Sequence, residues 1–159
     1  MVRFLEQAAF KFFRAGFGIF FLLAGIGHAV GFATTVDGAR ILSEYFEWSN
    51  PASKILAGLA VGFLVFGGLS LVLGWRVRAG ALALFLFLIP ATFVHALVMQ
   101  FALNSAIILK TDSNEKAQQI IRTLTSIAVQ GHQGNIVKNL VLMCAALFFL
   151  AVPMSKTGR

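Results

Sequence analysis

The chain has 159 residues, of which 58% are hydrophobic and only 12% are charged. Its mean hydropathy is +0.85, which excludes a disordered chain, because disorder needs low hydrophobicity and high net charge. It also argues against a water-soluble domain, since few polar residues remain to cover a surface. Composition therefore favours the lipid bilayer as solvent and partner, and the length is that of a single domain, residues 1–159.

The net charge of +7 comes mainly from basic residues between the apolar segments, as is usual in membrane proteins. For that reason we expect no nucleic-acid partner, although the same charge on a soluble protein would indicate one. The single cysteine, Cys144, can form neither an internal disulfide nor a cysteine-rich metal site. Its place within an apolar segment predicts a small buried side chain.

Four apolar segments are long enough to cross a membrane as helices, because a hydrocarbon core of about 30 Å needs about 20 helical residues. None of them alternates apolar and polar residues as barrel strands do. The sequence therefore predicts an all-α integral membrane protein, a bundle of four transmembrane helices. The predicted spans cover about 15–33, 55–74, 79–103 and 136–153. Within the first two, the pairs Gly27/Gly31 and Gly58/Gly62 have the spacing that lets helices approach closely.

The segment before the first span, Met1–Arg14, mixes phenylalanines with basic residues. That mixture predicts a short interfacial N-terminal helix leading into the span. A signal peptide is the alternative interpretation, because basic residues precede an apolar stretch.

Two polar segments separate the spans on the side away from the termini. In the first, Thr34–Lys54, the stretch Ala39–Trp48 is compatible with a short amphipathic helix at the interface. The second is Lys110–Asn135, between spans 3 and 4. There the apolar spacing within Glu115–Val129 predicts an amphipathic helix that lies over the mouth of the bundle and stops at Gly131–Gly134.

The distribution of lysine and arginine predicts the orientation. Slightly more of these residues flank the membrane on the side of the termini, and most of those on the other side belong to the long polar segment. We therefore predict a multi-pass protein of the cell inner (cytoplasmic) membrane with both termini in the cytoplasm.

Four polar residues lie within the spans or at their edges, where polar groups are costly and often functional. His28 and His95 each lie about 16 residues beyond the inner end of their span, which is about 24 Å by helical rise. Lys138 and Asn139 begin the fourth span from the opposite side. The sequence thus predicts one polar pocket in the outer half of the bundle, lined by all four.

Imidazole and ammonium groups suit a ligand with carbonyl oxygens, since histidine can donate to or accept from one and lysine stabilises an anionic oxygen. A quinone, whose two carbonyls become hydroxyls on reduction, is therefore the cofactor or ligand that we expect. Other interpretations stay open: histidines that only link helices, a metal site of His28, His95 and His132, or haem ligation by the first two. No histidine pair has the short spacing of common zinc motifs, so no metal site is predicted.

Several pieces in this order are similar to those of one family. They are Phe20–His28 (FFLLAGIGH), Gly67–Gly74 (GGLSLVLG), Arg78–Ala81 (RAGA), His95 and Lys138–Leu140 (KNL). By these pieces the chain resembles the DoxX/DoxD-like membrane proteins over nearly its whole length.

The resemblance implies a four-helix membrane protein linked to quinone or thiol redox systems. One branch of the family is a subunit of a thiosulfate:quinone oxidoreductase, and other members are partners of redox enzymes. The resemblance implies, from their positions in the matching pieces, that the pocket residues are His28, His95, Lys138 and Asn139. The chain departs from the family in two places. Leu64 stands where many relatives carry a glutamate, which argues against proton-coupled quinone chemistry, and the Lys110–Asn135 segment is longer than usual, which indicates a partner or a lid.

Together these features predict an accessory or quinone-interacting subunit of a membrane redox system. Electrons would come from a membrane or periplasmic redox protein, because the chain has no dinucleotide-binding fingerprint, cysteine cluster or haem motif. The alternative is a non-enzymatic assembly factor, scaffold or small transporter. The sequence leaves open whether the chain is an enzyme and what its oligomeric state is.

Overall fold

The computed structural model describes residues 2–49, 51–111 and 114–152. Within these ranges the chain forms five α-helices and no strand. They are α1 (Val2–Val30), α2 (Phe32–Tyr45), α3 (Pro51–Leu73), α4 (Val77–Thr111) and α5 (Glu115–Ala151). All but α2 include a segment long and apolar enough to cross a membrane. The predicted all-α, four-helix membrane bundle is confirmed, while the last residue of the predicted fourth span lies outside the described residues.

Two helix boundaries differ from the predicted ones, one in α1 and one in α5. The N-terminal segment is helical, but from Val2 onward it is continuous with the first span rather than a separate element; Met1 lies outside the described residues. The predicted stop at Gly131–Gly134 is wrong, because α5 runs through both glycines. Neither has a positive φ, which among the described glycines is found at Gly74 alone, so nothing in the local backbone ends the helix there.

The region Lys110–Asn135 is the tip of a long antiparallel hairpin rather than a loop. α4 has 35 residues and α5 has 37, so each is more than 50 Å long at about 1.5 Å per residue. The side chain of Asn114 caps α5 by accepting a hydrogen bond from the backbone of Ala117. The predicted helix Glu115–Val129 is the first part of α5. It lies along α4, where Arg122 and Thr125 share a shallow groove with residues 103–107.

α3 sets the position of the bilayer. Its 23 residues are about 35 Å long, close to the thickness of the hydrocarbon core. Trp48 and Trp75 stand beyond its two ends and are 50% and 58% exposed, as interfacial tryptophans are. α4 and α5 are longer than α3, so roughly three turns of α4 and four turns of α5 extend beyond the membrane on the side of α2.

Glycines bring α1 and α3 together, although not the predicted pairs. A Cβ on Gly68 would lie 2.6 Å from the Leu22 nitrogen, and one on Gly18 would lie 2.8 Å from the Gly68 oxygen. The backbones therefore touch near the end of the bundle that carries the termini. In contrast, nothing lies within 4 Å of a Cβ on Gly27, Gly58 or Gly62, and only a backbone atom of α1 itself lies near Gly31, so both predicted pairs are wrong as helix contacts.

The same end of the bundle is filled by phenylalanines. Phe17, Phe21 and Phe149 are buried in the core. The rings of Phe17 and Phe149 are 5.4 Å apart, and those of Phe13 and Phe149 are 5.3 Å apart. These rings join α1 to α5, whose backbones otherwise approach little. Cys144, which we expected to be buried, is exposed on α5.

Candidate functional site

Toward the end of the bundle that carries α2, the helices surround a cavity of about 650 Å³, and Phe21 of the phenylalanine core lies at its inner edge. All four residues predicted for the pocket, His28, His95, Lys138 and Asn139, line it. The remaining lining is almost entirely apolar or small. Leu64 is 1% exposed and forms part of this apolar wall.

The helix at the mouth of the cavity is α2, not the predicted segment Glu115–Val129. α2 contributes Thr34, Thr35, Gly38, Ala39 and Leu42 to the lining, whereas residues 96–137 contribute none. Its C-terminal end is anchored on α4, because the rings of Tyr45 and Phe46 lie 5.5 and 6.0 Å from that of Phe93. The predicted amphipathic helix at Ala39–Trp48 is thus present, but it begins earlier and ends at Tyr45.

Asn139 is the most deeply buried polar residue of the cavity, at 5% exposed. Its carboxamide offers two donors and an acceptor, and it makes no hydrogen bond with any residue in the described part of the chain. Its polar atoms are not among the fully buried atoms without a partner, so they face the open space of the cavity. The side chain is therefore available to a molecule in the cavity.

His95 is hydrogen-bonded to His132 across the α4–α5 contact. Their Nδ1 atoms are 3.0 Å apart and their ring centroids 5.2 Å apart. One ring must donate the shared proton and the other must accept it, so the Nδ1 atom of His95 is occupied and its Nε2 atom is the one left for a ligand.

The sequence does not predict this pairing, and it indicates His132 only as a possible metal ligand. His95 and His132 lie about equally far from the turn before Asn114, so they must meet if α4 and α5 form one continuous hairpin. Because the sequence predicts that a helix ends at Gly131–Gly134, it does not predict that His95 and His132 meet.

His28 has a different partner, Thr35 of α2. The Thr35 Oγ1 atom lies 3.0 Å from the His28 Nδ1 atom, and it donates to the carbonyl oxygens of His28 at 3.0 Å and Gly31 at 3.2 Å. Because a carbonyl can only accept, the hydroxyl proton goes there, and the hydroxyl oxygen accepts from Nδ1–H of His28. That leaves the Nε2 atom of His28 as an acceptor.

Lys138 lies at the rim of the cavity. It is exposed, and its Nζ atom donates to Asn135 Oδ1 at 2.8 Å. His28 is exposed as well, whereas Asn139 is buried. The polar residues thus run from a charged rim to a neutral, buried interior.

The three histidines do not form a cluster. Among the described residues, no group of three or more His, Cys, Asp or Glu side chains is placed to hold a metal ion. The pairs His95–His132 and His28–Thr35 instead use the ring nitrogens for hydrogen bonds. The geometry suits recognition of a neutral molecule with oxygen acceptors and donors.

Comparison with known proteins identifies one family. Residues 9–97, more than half of the chain, match the family model described as DoxX. No curated protein matches the chain. No solved structure matches it either. The matched segment includes His28 and His95 but ends before Lys138 and Asn139.

Proposed function

This chain belongs to the DoxX family, and we propose that its cavity binds a quinone-like, lipid-soluble carbonyl compound as part of a membrane redox system. In this proposal the chain is an accessory subunit in the cell inner membrane with both termini in the cytoplasm. The observation that carries the proposal is Asn139, a buried residue whose amide has no partner among the described residues and faces a cavity with mostly apolar walls. The volume of about 650 Å³ lies within the usual range for small-molecule pockets.

The polar groups fit the two oxygens of a quinone. Asn139 of α5 offers amide protons to a carbonyl, and His95 of α4 offers its Nε2 atom. Apolar side chains such as Leu64 and Phe63 cover the space around them. A ring with a carbonyl at each end and an apolar tail needs polar groups and apolar walls in this combination.

The His95–His132 pair suits both redox forms of such a compound. When the shared proton lies on His132 Nδ1, the neutral His95 carries its own proton on Nε2 and donates to a carbonyl. When the shared proton lies on His95 Nδ1, the Nε2 atom accepts from a hydroxyl. The change between the two states balances in three moves: the Nε2 proton of His95 passes to the ligand oxygen, the shared proton crosses the 3.0 Å bond from His132 to His95, and His132 takes up a proton on its own Nε2.

The space between α1 and α5 is the entrance that we infer for the ligand. The two helices are joined by phenylalanine rings at one end and approach little elsewhere. His28 of α1 and Lys138 of α5 are both exposed and both line the cavity. A lipid-soluble molecule would pass from the bilayer between these residues.

In this proposal electrons reach a bound quinone from another protein, since the sequence has no dinucleotide-binding fingerprint, cysteine cluster or haem motif. The hairpin of α4 and α5 extends beyond the membrane frame and carries exposed apolar side chains there. They include Phe101, Ile107, Ile120, Leu124 and Ile127. This surface supports the proposal of a membrane or periplasmic redox protein as the partner.

The test is binding of a short-chain benzoquinone to the purified protein in nanodiscs, measured by calorimetry. Replacing Asn139 by leucine should weaken binding about 10- to 100-fold, the cost of losing a buried hydrogen-bond partner. The matched control is Asn104→Leu, the same change at an exposed position of α4 away from the cavity. Equal affinity of Asn139→Leu and wild type would overturn the proposal, and absence of saturable binding to wild type would favour a scaffold, assembly factor or transporter.

A further inference from the structure

The end of the bundle that carries the termini holds a group of cationic side chains without acidic partners. The described residues show an ion pair between Arg40 and Asp37, and both belong to α2 at the other end. Arg14 of α1, Arg76 in the turn after α3 and Arg78 of α4 are not part of any ion pair within the described chain. Within the described part of the chain, therefore, no acidic side chain neutralises these three charges.

Arg14 packs directly against Gly74. A Cβ at Gly74 would lie 2.5 Å from the Nη1 atom of Arg14 and 2.7 Å from its Nη2 atom, so the guanidinium occupies the space that a side chain at this position would fill. Gly74 also has a φ of 72°, which glycine adopts without strain as it ends α3. The side chain is thus packed on the C-terminal end of a helix, where a cation is favoured.

The donors of Arg14 are not satisfied by the protein. Its Nε atom is buried without a hydrogen-bond partner. Within the described part of the chain nothing accepts from its Nη atoms, and neither atom is among the buried atoms that lack a partner. A guanidinium with one face packed on backbone and its Nη groups unpaired within the described chain is arranged to bind an anion with two parallel hydrogen bonds.

The depth of this group matches that of lipid headgroups. Trp75 follows Gly74 and is 58% exposed, and the guanidinium carbon of Arg76 lies 5.2 Å from the centre of its ring. An exposed tryptophan at the end of a span marks the membrane interface. Ile19, more than one turn deeper in the span than Arg14, is 48% exposed and available to acyl chains.

From this arrangement we propose that Arg14, packed on Gly74 and flanked by Arg76, binds the phosphate group of an anionic phospholipid. The phosphate accepts from the Nη atoms of Arg14, while the acyl chains lie along the exposed apolar side chains of α1. The site is separate from the cavity, which lies at the other end of the bundle, and does not depend on the function proposed for it.

The experiment is a lipid titration of the full chain in neutral detergent, with native mass spectrometry to count bound lipids. Phosphatidylglycerol is compared with phosphatidylcholine of the same chains. The wild type should bind one phosphatidylglycerol before any phosphatidylcholine. Arg14→Gln should weaken that first binding by on the order of tenfold, the loss of a charge-assisted bidentate contact, whereas Arg40→Gln, the matched control on α2, should leave it unchanged.

Three outcomes would overturn the proposal: equal binding of the two lipids, equal losses in both variants, or displacement of phosphatidylglycerol by inorganic phosphate at the same concentration. The last would assign the site to a free anion instead of a lipid. Arg14→Lys keeps the positive charge and is the variant to titrate if Arg14→Gln does not fold. Lysine lacks the planar fork, so it should retain only part of the preference, and full retention would also contradict the proposal.

Discussion

The two halves of the bundle join the same helices, α1 and α5, in different ways. Near the termini, the rings of Phe13, Phe17 and Phe149 fill the space between them. In the other half, α1 presents Ala24, Gly27 and His28 to the interior, and a cavity of about 650 Å³ remains. One half is closed by large side chains and the other is held open by small ones. The difference separates residues that should govern stability from residues that should govern binding.

The largest expected effect is on stability, in the closed half. Phe149 is 0% exposed and contacts three other phenylalanine rings of α1. Phe149→Ala should lower the free energy of unfolding by about 3–5 kcal/mol, the usual cost of removing a buried aromatic ring. Denaturant unfolding in detergent measures this free energy. The control is Phe101→Ala, because the ring of Phe101 is 73% exposed. Quinone affinity of the folded variant should stay unchanged, and a loss of affinity would show that the halves are coupled.

A smaller loss of stability is expected at the contact of α1 with α3. Gly68→Ala puts a Cβ 2.6 Å from a backbone atom of Leu22, and backbone cannot move aside as a flexible side chain can. We expect a loss of about 1–3 kcal/mol, typical of overpacking. Gly62→Ala is the control on the same helix, because nothing lies within 4 Å of its Cβ. Equal thermal stability of the two variants would show that the helices do not touch there.

In the half of the bundle that holds the cavity, a substitution should increase stability instead of lowering it. Asn139 makes no hydrogen bond to a described residue and its amide faces the cavity, so Asn139→Leu should raise the stability of the ligand-free protein by up to roughly 1 kcal/mol while it weakens quinone binding. The thermal midpoint without and with quinone measures both effects. A loss of stability in the ligand-free variant would mean that the amide serves the fold and not a ligand.

His132 should affect the selectivity of the site more than its stability. Without its partner at 3.0 Å, His95 can no longer exchange a proton to match the ligand. His132→Phe should therefore make the affinities for a benzoquinone and its quinol differ by about tenfold, roughly one hydrogen bond, whereas the wild type binds both similarly. Anaerobic calorimetry with both forms tests this, with Gln133→Phe, at an exposed neighbour, as control. An unchanged ratio would show that His132 only packs against His95.

The smallest expected effect concerns the orientation of the protein in the membrane, which the test measures without altering stability or binding. Ser49 and Ser126 are exposed on the side of α2, so cysteines introduced there in Cys144→Ala protein should react with an impermeant reagent in intact cells. Reaction only after the cells are permeabilised would place both termini outside the cytoplasm.

The sequence predicted the fold and the four residues at the cavity from simple physical arguments. The number of spans follows from hydropathy and length, and the shared depth of His28 and His95 follows from helical rise. The glycine contacts were not predictable, because Gly68 and Gly62 look alike in sequence and differ only in what faces them. The pairing of His95 with His132 depended on a continuous α5, which the glycines at 131 and 134 concealed.

The most direct test of the central claim, a quinone site in the half of the bundle near α2, uses the two tryptophans as position markers. Trp48 follows α2 and Trp75 follows α3, about 35 Å apart along the helix. Quinones quench tryptophan fluorescence at short range, so a titration of each single-tryptophan variant, Trp75→Phe and Trp48→Phe, locates the ligand. The account predicts saturable quenching of Trp48, lost in Asn139→Leu, and only weak, unsaturable quenching of Trp75. Saturable quenching of Trp75 alone would contradict it.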